Sequence, residues 1–97
     1  MARSGREQVQ ARGAARKLLV QALYQWQLAR MPAAELVAQF TSAPEYARAD
    51  HDYFREAIAA ICADDARIDE ELALHSDIEP ARLDPVEHAI LSIGLWE

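Results

Sequence analysis

Apolar side chains recur every three or four residues along the first third of the chain, which is the spacing of one face of an α-helix. Between about Val9 and Arg30 this apolar stripe consists of Ala15, Leu18, Leu19, Ala22, Leu23, Trp26 and Ala29. The stripe ends at Met31-Pro32, because a residue that precedes proline is disfavoured in the α region. The sequence therefore predicts a long amphipathic helix that ends near residue 30.

Two further stretches have the same helical period. Pro32 is expected as the first residue of a short second helix that stops at Thr41-Ser42-Ala43-Pro44. The inward residues of this helix are Leu36, Val37 and Phe40. The period resumes at Asp50 and falters at Asp64-Asp65, but no Gly or Pro interrupts residues 50–75. One helix or two would fit that stretch, and typical helix lengths favour two.

The last helix has the sharpest predicted start. Asp84 is suited to cap the free N–H groups, Pro85 suits the first helical position, and Glu87 can bond back to the cap. The helix that follows is apolar nearly all round, so it needs packing partners on several sides. The apolar pattern is still running at Glu97. We expect further C-terminal helices to cover Ile90, Ile93 and Trp96, and exposed apolar surface and marginal stability without them.

These patterns predict an all-α helical bundle of about five helices, and we find no strand alternation and no internal repeat. Residues 1–11 are expected to be a flexible basic arm, and residues 12–97 a single helical domain. The 97 residues are 52 % hydrophobic and 27 % charged, as in globular helical domains and unlike disordered or collagen-like chains. No apolar run approaches the roughly 18 residues of a membrane span, so we expect a cytoplasmic protein.

Charge is sorted along the chain. Residues 1–30 hold six basic residues and one acidic residue, whereas residues 31–97 hold four arginines and 15 acidic residues. Such a basic segment is typical of an arm that binds a polyanion, although a merely solvated basic tail would have the same composition.

The side of the first helix opposite the stripe is rich in hydrogen-bond donors. Lys17, Gln21, Tyr24 and Gln25 share this side, and Arg16 and Gln27 flank its apolar edge. Long cationic and amide side chains suit phosphate oxygens and base edges, and a tyrosine among them offers a surface on which an unpaired base can stack. RNA contact is therefore one interpretation of this side, whereas packing of Tyr24 on a neighbouring helix, with solvated glutamines, is the commoner role of an aromatic residue on a helix.

Signatures of catalysis or metal binding are missing from the sequence. His51, His75, His88 and Cys62 do not have the spacing of metal ligands, and there is no phosphate-binding loop or nucleophile elbow. We therefore expect no enzyme activity and no cofactor. Cys62 continues the apolar pattern of Ile58 and Ile61 and is most simply a small core residue. His75 suits a helix C-terminus, with RNA contact as its alternative.

Four blocks of the sequence together resemble the NusB family of bacterial transcription antitermination factors. They read RGAARKLLVQALYQWQL at residues 12–28, DYFR at 52–55, LDPVEHAIL at 83–91 and LWE at 95–97. The resemblance implies a non-catalytic, all-helical protein of two subdomains. It also implies binding to single-stranded boxA RNA together with NusE, a small-subunit ribosomal protein, and to an RNA polymerase complex with NusA and NusG that reads through ribosomal RNA operons.

The resemblance also implies site residues. The RNA-binding positions that match the family are Arg12, Arg16, Lys17 and Tyr24, to which the donor pattern adds Gln21. A further aromatic contact in relatives falls at His75 here, and Gly13 and Ala14 stand where relatives have further arginines. Some relatives form homodimers.

Two other function classes share part of this pattern. NusB-like domains also precede the catalytic domain of certain ribosomal RNA cytosine methyltransferases, and a helical interaction module without RNA function would have the same core.

Overall fold

The computed structural model describes residues 4–75, 79 and 82–97, without the side chain of His75. The described residues form five α-helices and one short 3-10 helix, called here the Pro44 turn. Their bounds are α1 Gly5–Ala29, α2 Ala33–Phe40, the Pro44 turn Pro44–Arg48, α3 His51–Ala63, α4 Asp65–His75 and α5 Pro85–Trp96. The predicted all-α fold is confirmed. Residues 50–75, for which the sequence left one helix or two open, form two helices, the alternative that typical helix lengths favoured.

Helix α1 is the central element, since it contacts α2, α3, α5 and the Pro44 turn, whereas α4 packs on α5 and α3. Its buried side holds the predicted stripe, except that Ala29 is exposed at the last position of the helix. The helix begins at Gly5, four residues before the predicted start, because the Ser4 hydroxyl accepts the Glu7 N–H at 3.1 Å. Residues 5–11 are thus helical here, and the flexibility expected of residues 1–11 in the free protein stays a prediction.

The end of α1 and the start of α2 differ in detail from expectation. Arg30 closes α1 in the left-handed region, at φ 51°, with its guanidinium over the Trp26 ring at 4.1 Å and bonded to Asp65 at 2.9 Å. Pro32 was expected as the first residue of α2, but its backbone is extended, with ψ at 145°. Its carbonyl accepts the Leu36 N–H at 3.0 Å. Pro32 is therefore the residue that precedes the helix.

Helix α5 starts as predicted, with Asp84 accepting the Glu87 N–H at 2.9 Å. Two of the residues expected to lack cover are packed: Ile93 is buried, and the Trp96 ring meets the Tyr53 ring edge-on at 5.0 Å. That expectation was wrong for them because α1 and α3 already cover this side of α5. Ile90 is 54 % exposed, and the other large exposed apolar residues of the helix are Val86, Leu91 and Leu95.

None of the helices in the described part of the chain has the length and apolarity that a bilayer crossing requires.

Candidate nucleic-acid interface

Three side chains on the exposed side of α1 form a continuous surface, called here the donor face: Lys17, Gln21 and Tyr24. They lie three or four residues apart and therefore neighbour one another on successive turns. The Tyr24 side chain is 42 % exposed. The described helices therefore do not bury it, as packing on a neighbouring helix would. Among the described residues, none of the three has a hydrogen-bond or ion-pair partner, which leaves a cation, an amide and an aromatic ring open to a ligand.

The two other glutamines of this region are engaged within the protein. Gln25 exchanges hydrogen bonds with the Gln39 amide at 2.7 and 2.8 Å, which ties α1 to α2. Gln27 donates to the carbonyls of Leu23 and Pro85, at 3.2 and 2.8 Å, and so ties α1 to the start of α5. These two side chains therefore have structural roles, and only part of the predicted donor side is open.

Arg12 and Arg16 project from α1 on the side of α3 and α5, in a group called here the Tyr53 cluster: Arg12, Arg16, Asp50, Tyr53 and Glu97. Arg16 bonds both carboxylate oxygens of Glu97, from Nε at 2.7 Å and from Nη2 at 3.1 Å. The Arg12 Nη2 lies 3.5 Å from the Asp50 Oδ2, and the Arg12 guanidinium is 4.8 Å from the centre of the Tyr53 ring. The Tyr53 hydroxyl donates to Glu97. The cluster joins α1, α3 and the end of α5.

These contacts change the titration of the cluster. The hydrogen bonds from Arg16 and then from Tyr53 lower the pKa of Glu97 to about 2, and the bond to Glu97 raises the pKa of Arg16. Burial, followed by the bond to Glu97, raises the pKa of Tyr53. Burial by itself would raise the pKa of Asp50, but hydrogen bonds from the Tyr53 N–H, Gln8 and Arg12 outweigh it, and the net shift is downward.

Both arginines nevertheless remain accessible, because 46 % of each side chain is exposed. The sequence pattern identified these two cations but gave no signal for the partners that hold them. Asp50 and Glu97 lie 38 and 81 residues from the arginines that they bind.

His75, the remaining predicted RNA-binding residue, is the last residue of α4. Its side chain lies outside the described part of the structure, so its RNA contact stays a prediction.

Two grooves border the donor face. A groove of about 820 Å³ separates α1 from the Pro44 turn, and Lys17, Gln21 and Arg48 are among its lining residues. A second groove of about 340 Å³ lies between α1 and α5, where Lys17, Arg16 and Ile90 are among the lining residues. Lys17 thus borders both grooves. Arg48 was not singled out from the sequence, because a lone arginine in a loop carries no periodic signal.

A chain of polar contacts inside the bundle resembles a catalytic arrangement but is structural. Asp69 and the His88 Nε2 are 2.6 Å apart, and Ser92 Oγ lies 3.4 Å from the other ring nitrogen. Ser92 is only 1 % exposed, so no substrate can reach its hydroxyl. The contacts join α4 to α5. Within the described ranges, no three His, Cys, Asp or Glu side chains lie close enough together to hold a metal ion.

Comparison with known proteins places this chain in a family. The family model described as "NusB family" matches residues 13–97, which is most of the chain. The chain belongs to the NusB family. Transcription antitermination protein NusB of Alcanivorax borkumensis is 37 % identical over 87 residues, which are 90 % of this chain and 58 % of that protein. The protein of the same name from a Pseudomonas putida strain is 42 % identical over 83 residues, or 86 % of this chain and 50 % of that protein.

The chain therefore spans between half and six-tenths of the length of these curated NusB relatives. No solved structure matches the chain significantly. The family predicted from the four sequence blocks is confirmed.

Proposed function

We propose that this chain is a non-catalytic, RNA-binding part of a NusB-type transcription antitermination factor. Its ligand would be the single-stranded boxA element, bound together with NusE, and its setting an RNA polymerase complex with NusA and NusG on ribosomal RNA operons. The observation that carries the proposal is the exposed donor face of Lys17, Gln21 and Tyr24, in a chain that belongs to the NusB family. The names of the relatives support the setting in antitermination.

The chemistry of the face matches single-stranded RNA. An exposed tyrosine ring stacks on unpaired bases whatever their sequence, and the neighbouring cation and amide reach phosphate and base edges. Arg12 and Arg16 add positive charge along the same helix. Residues 31–97, which hold 15 acidic residues against four arginines, repel a polyanion elsewhere on the surface. Their negative charge is complementary to a basic ribosomal protein such as NusE.

The experiment is a fluorescence-anisotropy titration of labelled boxA RNA with the wild-type chain, with Tyr24→Ala and with Lys17→Gln, in the presence and absence of NusE. Removal of the stacking ring should weaken binding about tenfold, by the usual value of one base–aromatic contact. The matched control for Lys17→Gln is Arg82→Gln, which removes one positive charge outside both grooves. Equal affinities for all four proteins would contradict the site, and an absence of binding with and without NusE would contradict the function.

A further inference from the structure

The Pro44 turn is fixed against α1 by a set of contacts at its far end. The Asp50 N–H donates to the Ala11 carbonyl of α1 at 3.0 Å. Tyr46 and Ala49 are buried, and the Tyr46 ring stacks on His51 with centres 4.0 Å apart. Because the backbone on both sides of Arg48 is held in this way, the turn forms a fixed wall of the groove along α1.

The cations of this groove are uncommitted, unlike most arginines of the chain. Five described arginines take part in ion pairs, namely Arg12, Arg16, Arg30, Arg55 and Arg82. Within the described ranges, Lys17 on α1 and Arg48 on the turn have no such partner, and both are exposed. Two unpaired cations on opposite walls of one groove attract an anionic ligand that lies between them.

The rest of the groove defines the class of that ligand. Gln10 and Gln21 add amide groups at its edge, and Gly13 and Leu18 give it an apolar floor. A single inorganic anion would not use an apolar floor about one and a half turns long, whereas a nucleic-acid strand presents phosphates to the cations and sugar or base surface to the floor. Glu45, on the same turn as Arg48, is the acidic residue of the lining.

We propose that the groove between α1 and the Pro44 turn holds a stretch of single-stranded RNA whose phosphates contact Lys17 and Arg48, next to the base stacked on Tyr24. This inference rests on the proposed RNA-binding function and adds Arg48 and the groove to it.

Two variants test the groove. Arg48→Gln removes one cation and leaves the anchored backbone of the turn in place. Gly13→Glu places a carboxylate on the floor, and there is room for its first side-chain atom, because a Cβ built on Gly13 has no atom within 4 Å. The matched controls are Arg82→Gln for the lost cation and Ala59→Glu, on the exposed side of α3, for the added acid. Circular dichroism of every variant checks that the helices are intact.

The probe is labelled oligouridine of about 12 nucleotides, which is within the usual range of single-strand site sizes, titrated at several salt concentrations. Arg48→Gln should weaken binding about threefold to tenfold and reduce the slope of log affinity against log salt by about 0.7, the value for one lost phosphate contact. Gly13→Glu should weaken binding at least as much, and the two controls should match the wild type.

The outcomes separate the two proposals. If Tyr24→Ala weakens binding but Arg48→Gln and Gly13→Glu bind like their controls, the groove assignment is overturned and the proposed function stands. If the wild-type chain binds neither the oligouridine nor boxA RNA, both are overturned.

Discussion

Arg16 on α1 and Glu97 after α5 form a two-point ion pair, with the guanidinium bonded to both carboxylate oxygens. A carboxylate in this position occupies the same two N–H groups that would bind a phosphate. The pair is exposed, so it contributes little to the free energy of unfolding. Its effect on binding is larger, because an RNA phosphate must displace Glu97 before it can contact Arg16 with both N–H groups.

Replacement of Glu97 by glutamine should therefore strengthen RNA binding. We expect Glu97→Gln to raise the affinity for single-stranded RNA by up to about fivefold at moderate salt, which corresponds to exposed ion-pair energies of up to about 1 kcal/mol. Anisotropy titrations with boxA RNA measure the change. The matched control is Glu35→Gln on the exposed surface of α2, which removes the same charge without freeing an arginine. Equal gains for both variants would mean that the change in net charge, and not the release of Arg16, is responsible.

The same pair predicts how stability depends on acid. The pKa of Glu97 is about 2 in the folded chain, against an ordinary value of 4.5. A lowered carboxylate pKa stabilises the folded chain at any pH above the ordinary pKa of the group. This contribution is lost as the pH falls towards 2. The wild-type chain should thus lose more stability than Glu97→Gln between about pH 4.5 and 2, as measured by urea unfolding. Parallel pH profiles would show that the pair does not contribute, and added salt should narrow the difference.

Gly13 lies in the middle of α1, where glycine is unfavourable for a helix. No glycine of the described chain has a positive φ, and the space around a Cβ at Gly13 is empty. Gly13→Ala should therefore stabilise the fold by up to about 1 kcal/mol. Thermal unfolding followed by circular dichroism measures this change. Gly5→Ala at the first turn is the comparison, and it should have a smaller effect because helix ends fray. A lower melting temperature for Gly13→Ala would contradict the account.

Cys62 should react slowly with thiol reagents. Burial, followed by the nearby charge of Asp65, raises the pKa of its thiol from 9.0 to about 11, and only the thiolate is nucleophilic. The thiolate fraction is thus lower by roughly a hundredfold, since each pKa unit is a factor of ten. Alkylation by iodoacetamide at pH 8 should be correspondingly slow in the folded chain and fast in urea. Equal rates in both conditions would mean that the thiol is exposed in solution.

Local features of the fold were predictable because their causes lie within a few residues. The stripe of α1 follows from its own periodicity, and the start of α5 follows from Asp84 and Pro85. The packing of Ile93 was not predictable in this way. It depends on how closely α1 and α3 approach α5, and no property of the α5 sequence indicates that distance.

The same distinction applies to the candidate site. The donor face was visible in the sequence because Lys17, Gln21 and Tyr24 belong to one helix. Arg48 was missed because it joins the face only through the anchoring of the Pro44 turn at Ala11, a contact between distant residues. The sequence also could not indicate that Gln25 is used within the protein, since its partner Gln39 belongs to α2.

The donor face and the core stripe are opposite sides of the same helix, so the backbone that carries the face is fixed before any ligand arrives. The entropy lost in ordering the complex therefore falls on the RNA strand and on the side chains of the face, and not on the protein backbone. Runs of purines stack on themselves in solution and would have to unstack before they could follow a fixed surface, whereas pyrimidine-rich strands are already flexible. We therefore expect the protein to prefer flexible, pyrimidine-rich strands, and this preference should matter as much as hydrogen bonds to the edges of the bases.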